Sequence, residues 1–422
     1  MAALQIKVHS PASLFLSRWM DSPSSRLTVL HYVGYDQDAG GILSAVRALA
    51  LENRFDCVLG VNAAFSPRRP PGLPLEICPW IDGERLGLKT FWRARAVAAH
   101  LTRWLNTDVR RRLHLHSRAG LATAWWLSDE ALSRTAISVH CLGRQRWFYR
   151  ASARKFGGKL FWLHPAMRGY YGLGEPEDHR ISSSSQQASR GHRSGTSRPS
   201  IDSSGSDDEL SWTQCIPSPI TNRPPPRMKT RLRMNEGRVA IGGIGALAPW
   251  KRWDLVLDAL LILDDSTRAA VSFRHLGAND GTPASQRYEA VLRAHRANAH
   301  AQVRWEGGQP SSDGFLESID CLVVPSDEEP LSLAMLEALR AGVPVLRADS
   351  GGGLDAILPD RNGWLFRTGD ANDLATHLWR LINSDALAQT RYAPEAFQRY
   401  LASEVSARWL EVYTRVERAE RK

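Results

Sequence analysis

The stretch from Pro325 to Gly342, PSDEEPLSLAMLEALRAG, contains two glutamates and the predicted beginning of a helix. The stretch follows a short apolar run, Cys321 to Val324, which has the length of a buried strand. Leucines at helical spacing then predict a helix that begins near Leu331. A helix that begins at the carboxyl end of a strand lies where open α/β sheets bind ligands. Its first N–H groups suit a phosphate or a sugar oxygen.

The two glutamates, Glu329 and Glu337, offer carboxylates at either end of this stretch. Glu337 lies about two turns into the predicted helix, on a face that mostly points inward. A buried carboxylate needs hydrogen-bond donors, which the vicinal hydroxyls of a ribose would supply. In the alternative interpretation Glu337 pairs with Arg340 and Glu329 is solvated, and on spacing alone this second arrangement is the more common one.

The segment EPLSLAMLEALRAGVPV resembles the E-x7-E segment of retaining glycosyltransferases of the GT-B fold, glycosyltransferase family 4, also called glycosyl transferases group 1. The resemblance implies that Glu329 faces the donor sugar and that Glu337 holds the ribose. It also implies that the backbone of Pro330, Leu331 and Ser332 contacts sugar and phosphate. Because the matching segment is long and specific, it favours these roles over the simpler ion-pair interpretation.

A lysine in the second half of the chain is the next candidate. The segment GALAPWKRWDLVLDAL resembles the G-R-L-x-x-x-K-G segment of the same family, which implies that Lys251 contacts the donor diphosphate. A lysine suits that role because it is a compact positive charge and a strong donor. The family's usual arginine is Ala246 here, and Arg252 or an arginine from residues 144–150 is the candidate replacement.

Two candidates lie in the first half of the chain. Gly40 and Gly41 stand where a strand over 27–34 turns into a helix, so the backbone can approach a diphosphate, although a simple tight turn is the alternative. The segment SVHCLG resembles the family's strand that carries an active-site histidine, which implies that His140 lies near the transferred sugar. His116, also near a strand end, is a weaker candidate on the acceptor side.

The alternation of strands and helices on both sides of a linker predicts an α/β protein with two Rossmann-like, doubly wound domains facing a cleft, which is the GT-B fold. The predicted organisation is an N-terminal extension (1–26), an acceptor domain (27–176), a disordered Ser/Arg-rich insertion with a Pro-rich linker (177–227), a donor-binding domain (228–395) and a C-terminal helix that crosses back to the first domain (396–422).

Composition sets further limits on the 422-residue chain. Its five cysteines are scattered and form no CxxC pair, which favours buried thiols in a reducing compartment. No signal peptide and no membrane-spanning run is recognisable, so a cytoplasmic location is expected. Since no cluster has metal-ligand spacing, neither a metal nor an organic cofactor is expected.

The net charge of +10 is concentrated in the first 227 residues, which suggests an anionic partner. Residues 88–105 form an amphipathic helix, and residues 144–159 mix arginines with aromatic side chains. Either segment suits the inner face of an anionic membrane, and the second also suits binding of the acceptor. In the alternative these are ordinary outer helices, with Trp147 and the phenylalanines of the second segment in the core.

The sequence thus predicts a retaining glycosyltransferase of the hexosyltransferase type, with a role in polysaccharide biosynthesis. The donor would be a nucleotide-diphosphate sugar and the acceptor a glycan, a lipid-linked glycan or a small molecule. The main alternative is a non-catalytic nucleotide-sugar or glycan-binding protein of the same fold. An epimerase is a more distant alternative. A nucleic-acid partner is not expected, because nothing in the second domain supports one.

Overall fold

A computed structural model describes residues 26–36, 40–66, 72–82, 87–140, 142, 145–173, 215–222, 238–309 and 311–419. The predicted N-terminal extension, apart from its last residue, lies outside the described residues. The predicted insertion over 177–210 also lies outside them.

The first half of the chain forms a parallel sheet of six strands: β1 (Thr28–Tyr32), β2 (Asp56–Asn62), β3 (Leu75–Cys78), β4 (Arg111–His116), β5 (Thr135–Val139) and β6 (Leu160–Trp162). The strand order is β3-β2-β1-β4-β5-β6, which is the order of doubly wound dinucleotide-binding sheets. The helices are α1 (Gly41–Leu51), α2 (Leu88–Leu105), α3 (Ser117–Ala124), α4 (Asp129–Ser133), α5 (Arg146–Phe156) and α6 (Pro165–Tyr170). The central strands are buried because helices cover the faces of the sheet.

The second half forms another parallel six-stranded sheet: β7 (Val239–Ile244), β8 (Val271–Leu276), β9 (Gln302–Trp305), β10 (Cys321–Val324), β11 (Val345–Ala348) and β12 (Gly363–Phe366). Its order, β9-β8-β7-β10-β11-β12, repeats that of the first sheet. The helices are α7 (Trp253–Ile262), α8 (Asp265–Ala269), α9 (Pro283–Ala294), α10 (Ala297–His300), α11 (Asp313–Glu317), α12 (Leu333–Arg340), α13 (Ala371–Asn383), α14 (Ala386–Gln389) and α15 (Ala402–Ala419).

The predicted fold class is confirmed, since two doubly wound parallel sheets make up the described part of the chain. The cysteines at 57, 78, 215 and 321 are free and buried, while Cys141 lies outside the described residues. Among the helices that are described, none combines the length and the apolar character that crossing a bilayer requires.

The last helix, α15, packs against the first sheet. Val405, Trp409 and Tyr413 are buried in one cluster with Val29 and Phe55. These contacts tie the end of the chain to the domain where it began.

The sequence predicts that this last helix begins near residue 396, and this predicted start is wrong. Two short 3-10 turns precede the helix, which begins at Ala402. The N–H of Ile220 donates to the carbonyl of Tyr400 at 2.8 Å, and the N–H of Ala402 donates to the carbonyl of Ile220 at 2.8 Å. This pairing with the linker holds the backbone extended between them, which a helix could not accommodate.

Candidate active site

The loops at the carboxyl ends of the two sheets approach each other closely, as two glycines show. A Cβ added to Gly41, at the start of α1, would lie 3.0 Å from Cδ1 of Leu333, the first residue of α12. A Cβ added to Gly352 would lie 2.9 Å from Cβ of His164, between β6 and α6. Loops from both sheets therefore meet where open α/β sheets bind ligands.

The glycine pair of the first domain begins a helix at this meeting point. Gly40 has φ +105° and ψ 159°, a backbone conformation that favours glycine. Gly41 opens α1, so the first N–H groups of α1 lie beside the first turn of α12. The ligand-binding role of both glycines remains a prediction. A side chain at position 41 would require Leu333 to move.

Lys251 and Glu329, 78 residues apart, form an ion pair in which the ammonium Nζ donates to Oε2 of the glutamate. Their side chains are 14% and 8% exposed. The hydroxyl of Ser326 donates to the same carboxylate at 3.2 Å, and the ammonium lies 4.2 Å from the ring centroid of Trp250. The two residues predicted to contact diphosphate and sugar are thus in direct contact with each other.

Local structure explains why Lys251 reaches this place. It ends a short 3-10 turn, Pro249–Lys251, that follows β7, while Glu329 lies in the loop after β10. Because β7 and β10 are neighbours in the sheet, their carboxyl ends lie side by side. The next residue, Arg252, has φ +55°, which turns the chain sharply into α7.

The guanidinium of Arg252 is already paired with two carboxylates. Its Nη1 donates to Asp327 at 2.9 Å and its Nε to Asp254 at 3.2 Å. Burial lowers the pKa of Arg252, but these two carboxylates outweigh that effect and raise it. The Ala246 carbonyl accepts a hydrogen bond from the indole of Trp253 at 2.9 Å. Replacement of the family's arginine by Arg252 therefore stays a prediction.

An arginine from the 144–150 stretch lies close to the same loop. Burial raises the pKa of Glu328, the residue before Glu329, and the positive charge of Arg146 opposes that rise. Arg146 begins α5 of the first domain and stacks 4.2 Å over Tyr170. Charge from the first domain therefore acts on the glutamate loop of the second.

Glu337 is half-buried on α12 and accepts a hydrogen bond from the hydroxyl of Ser312 at 2.9 Å. Burial raises the pKa of Glu337, while the Ser312 hydrogen bond and the Arg340 charge lower it. Arg340, which was the alternative partner of Glu337, also lies 3.7 Å from Asp313. A carboxylate that faces inward with one hydroxyl donor suits a ribose, although that role is still a prediction.

The helix between the glutamates begins at Leu333, two residues later than the sequence predicts. The side chain of Ser332 caps it by accepting from the N–H of Met335 at 3.3 Å. Ser and other small polar residues are preferred at this position because they satisfy an otherwise unpaired N–H. Ser332 therefore uses its hydroxyl for the helix, and its backbone, with that of Pro330 and Leu331, stays the predicted contact for a ligand.

A glycine loop, Gly351–Gly353, packs against the backbone of the loop that carries Glu329. The N–H of Gly352 donates to the carbonyl of Glu329 at 2.8 Å. A Cβ on Gly351 would lie 2.1 Å from that same carbonyl oxygen, and a Cβ on Gly352 would lie 2.1 Å from the carbonyl oxygen of Pro330. This close approach, together with a positive φ of 80° at Gly351, explains the glycines.

Sequence reasoning missed the buried arginine that holds this loop. Arg347, on β11, is fully buried and donates to the carbonyls of Ser350 at 2.7 Å and Gly352 at 2.9 Å. Burial lowers its pKa, and the carboxylate of Glu329 acts in the opposite direction. An arginine inside an apolar strand was the available signal, because such a residue must find acceptors.

A second missed group joins the two domains. His164 Nε2 lies 3.0 Å from Asp355 Oδ1, and the hydroxyl of Tyr400 donates to both oxygens of Asp355 at 3.0 Å. Burial raises the pKa of Asp355, but the hydrogen bond and charge of His164 lower it below its usual value. The three residues are far apart in sequence and carry no motif.

His140 follows β5 and is held by another histidine. Its Nε2 lies 2.9 Å from Nδ1 of His116, and its Nδ1 lies 3.4 Å from the hydroxyl of Ser218 in the linker. Burial lowers the pKa of His140 to about 3, so the ring is neutral at pH 7. The structure therefore gives both predicted histidines a place in one hydrogen-bonded arrangement, which also includes His31.

Ring nitrogens of His31, His114 and His116 lie within 4.8 Å of one another, the spacing of a group that could hold a metal ion. Every one of these nitrogens is within hydrogen-bonding distance of a neighbouring side chain. Five contacts give each ring nitrogen a partner: His31 to Cys57, His31 to His116, His116 to His140, His114 to Tyr413 and His114 to Ser138.

Comparison with known proteins agrees with this geometry. Residues 226–399 match the family model of glycosyl transferases group 1. The chain is 26% identical to the poly(ribitol-phosphate) alpha-N-acetylglucosaminyltransferase of Staphylococcus aureus (strain COL), over 41% of this chain and 35% of that protein. It is 24% identical to the 2-deoxystreptamine N-acetyl-D-glucosaminyltransferase of Niallia circulans, over 46% of this chain and 49% of that protein. The chain thus spans less than half the length of these curated relatives.

Solved structures share the fold over nearly the whole chain. The Anabaena protein Alr3699/HepE, solved in complex with UDP and glucose, superposes with a TM-score of 0.65 at 16% identity and covers 92% of this chain and 99% of its own. Sucrose-phosphate synthase from Thermosynechococcus elongatus gives 0.66 at 15% identity, covering 93% and 100%. Residues 226–399 are thus similar to the glycosyl transferases group 1, and the chain has the two-domain GT-B fold.

Proposed function

We propose that this chain transfers a sugar from a nucleotide-diphosphate donor to an acceptor, with retention of the anomeric configuration. The observation that carries the proposal is the ion pair between Lys251 and Glu329 beside the first turn of α12. A cation, a carboxylate and the first N–H groups of a helix at one place match the needs of a diphosphate joined to a sugar.

Negative charge develops on the diphosphate as the sugar–phosphate bond breaks. Lys251 and the N–H groups of Gly41, Leu331 and Ser332 would stabilise that charge without reorganising during the reaction. Because these groups supply positive charge, the proposal needs neither a metal ion nor an organic cofactor. Glu337 would hold the ribose hydroxyls, which replace the hydrogen bond from its neighbouring serine.

Glu329 and His140 would position the sugar. Glu329 is fixed by Lys251, by Ser326 and by the backbone of Gly352, so its carboxylate has a set direction. His140 is a neutral ring at the carboxyl end of β5, on the first-domain side. Positioning of this kind lowers the barrier because the reacting groups no longer have to be brought together.

The relatives guide the choice of donor and acceptor. The Anabaena protein binds UDP and glucose, and the two relatives described above are named N-acetylglucosaminyltransferases. We therefore place uridine diphosphate glucose and uridine diphosphate N-acetylglucosamine first among the donors. A glycan or lipid-linked glycan is the acceptor class in the proposal.

The direct test is a panel of nucleotide sugars, read by release of nucleoside diphosphate and by the anomeric configuration of the product in proton NMR. The proposal expects release with one donor class and a product of unchanged configuration. An inverted product would overturn the retaining mechanism. Donor binding without release in the presence of acceptor glycans would favour the non-catalytic binding protein, to which the alanine at position 246 points.

We also propose that α2 and α5 contact an anionic membrane surface. Leu88, Trp92 and Trp147 are 82%, 62% and 70% exposed, and Trp147 was expected in the core in the alternative interpretation of its segment. Phe91 and Phe148, with ring centroids 6.4 Å apart, join the two helices into one aromatic cluster. Exposed tryptophans beside basic residues are typical of helices that lie at a lipid interface.

Sedimentation with vesicles tests this second proposal. Vesicles of phosphatidylcholine with phosphatidylserine should bind the protein, vesicles of phosphatidylcholine alone should bind less, and salt should weaken the binding. The double variant Trp92→Ala/Trp147→Ala should lose binding, whereas Trp379→Ala, an exposed tryptophan on α13, should keep it. Equal binding by the double variant and the control would overturn the proposal.

A further inference from the structure

A row of side chains crosses the first sheet from its interior to its carboxyl edge. His31 on β1 and His116 on β4 approach at 3.0 Å, from Nδ1 to Nε2. His116 Nδ1 then approaches His140 Nε2 at 2.9 Å. Cys57 Sγ lies 3.8 Å from His31 Nε2 at the inner end, and the hydroxyl of Ser218 lies 3.4 Å from His140 Nδ1 at the outer end.

Strand pairing brings these residues together. His31 is the register partner of His114 on β4, and His116 lies two residues further along the same strand, so all three rings share one face of the sheet. His114 stacks on His116 with ring centroids 3.9 Å apart and is bonded at Nδ1 to the hydroxyl of Tyr413, on α15, at 2.6 Å. The row is therefore enclosed by the C-terminal helix.

All the rings in the row are neutral at pH 7. Burial lowers the pKa of His31 to about 3 and that of His140 to about 3, and it lowers the pKa of His116 well below the usual range. A neutral imidazole carries its proton on one nitrogen and accepts on the other. Each ring's tautomer therefore dictates the tautomer of the next, so the row has only two self-consistent proton arrangements.

Cys57, at the inner end of the row, favours one of those two proton arrangements. Burial raises the pKa of the Cys57 thiol to about 12, so the sulfur keeps a proton that it can donate to His31 Nε2. At the outer end the hydroxyl oxygen of Ser218 can accept from His140 Nδ1. With Cys57 donating to Nε2 of His31, the protons lie on Nδ1 of His31, Nδ1 of His116 and Nδ1 of His140. The reverse arrangement would require the sulfur, a weak acceptor, to take a hydrogen bond from His31.

We propose that His31 and His116 are positioning residues that fix His140 as a hydrogen-bond donor at Nδ1, toward the edge where the donor sugar would lie. This inference rests on the proposed function for its consequence, since a sugar hydroxyl would take the place of Ser218 as the acceptor. Nothing in the row touches the substrate except His140. A residue on β1, at the sheet's interior, thereby determines what His140 offers to a sugar.

Nuclear magnetic resonance of the protein with 15N-labelled histidines tests the row without any turnover. Long-range proton–nitrogen correlations separate the two neutral tautomers and the charged ring, and single-histidine variants assign the signals. We expect the proton on Nδ1 of His31, His116 and His140. A proton on Nε2 of His140, or a charged His140 at pH 7, would overturn the proposal.

Two variants separate positioning from simple packing. His116→Phe removes the donor to His140 Nε2 and should convert the His140 signal from a single tautomer to a mixture, while His100→Gln, outside the row, should leave it unchanged. Should His116→Phe fail to fold, Cys57→Ala makes the same test from the inner end. An unchanged His140 signal in the folded variant would overturn the proposal.

Kinetics provide the second readout. His31→Asn should lower kcat about tenfold, as loss of an outer partner of a functional histidine does elsewhere, with the donor KM nearly unchanged. His100→Gln should match the wild type, because His100 is bonded to Glu76 on β3, away from the row. Equal kcat in both variants would overturn the proposal. Absence of turnover in the wild type would instead refute the proposed function, and the tautomer measurement would still decide on the row.

Discussion

Replacement of Glu329 by glutamine should tighten the binding of a nucleoside diphosphate while it slows sugar transfer. The Lys251 ammonium donates to Glu329, so a diphosphate must share or displace that hydrogen bond. A hydrogen bond to a charged group contributes about 1.5–3 kcal/mol. Because an ammonium has three donors and the carboxylate takes one, the competition is partial, and we use the lower end of that range.

That lower end corresponds to about a tenfold gain in affinity, since about 1.4 kcal/mol is a factor of ten in a dissociation constant. Removing the carboxylate also removes its repulsion toward the diphosphate, which acts in the same direction. The amide of a glutamine can still accept from Ser326, so the loop keeps its hydrogen bond. The turnover should nevertheless fall, because the sugar loses a charged positioning group.

Isothermal titration with uridine diphosphate measures the affinity, and release of nucleoside diphosphate from the preferred donor measures turnover. Glu328→Gln is the matched control, since Glu328 is adjacent but is not the residue that Lys251 contacts. Lys251→Ala should weaken binding, and the double variant Lys251→Ala/Glu329→Gln should show no gain from the glutamine. If Glu329→Gln binds uridine diphosphate no better than Glu328→Gln, Lys251 is not the group that meets the diphosphate.

Three further predictions follow from the loops and from the charges. Gly352→Ala places a Cβ 2.1 Å from the Pro330 carbonyl oxygen and should lower both the melting temperature and turnover. Gly314→Ala is the control and should change neither, because a Cβ there meets no heavy atom within 4 Å. Equal behaviour of the two variants would contradict the packing argument. The hydrogen bond and charge of His164 lower the pKa of Asp355 in the folded protein. The ionised carboxylate of Asp355 therefore stabilises the fold at pH values above its unfolded pKa of about 4. This stabilisation is lost as the pH falls through the lower pKa of the folded state. The wild type should therefore melt higher than Asp355→Asn near neutral pH, and the difference should shrink below pH of about 4; a difference that stays constant with pH would refute the assignment. Lys251 and the helix N–H groups supply the positive charge in our proposal, so addition of the chelator EDTA should leave the rate unchanged, and a loss that Mg²⁺ restores would show that a metal takes part.

Local patterns were sufficient to predict the fold. The apolar runs of strand length and the helical spacing of leucines alternate along the chain, and this alternation dictates a parallel sheet because successive strands need crossover helices. The segment around Glu329 and Glu337 also gave its strand, loop and helix in the right order. The start of α12 was predicted two residues early, because Ser332 was counted as helical although its side chain caps the helix.

Contacts between distant parts of the chain could not be predicted in the same way. Lys251 and Glu329 were each chosen by resemblance, but their ion pair depends on the adjacency of β7 and β10, which no local pattern encodes. The row from His31 to His140 likewise depends on the register of strands that are distant in sequence. The start of α15 was wrong for the same reason, since a linker residue pairs with the backbone before it.

The most direct test of the central claim compares wild type with Glu337→Gln for release of nucleoside diphosphate across the donor panel. Our account predicts release with one donor in the wild type and a much higher donor KM in the variant, because the ribose loses its carboxylate partner. A thermal-shift titration with uridine diphosphate should show the same loss of affinity. Release that is unaffected by Glu337→Gln would contradict the placement of the nucleotide, and no release with any donor and acceptor would contradict the proposed function itself.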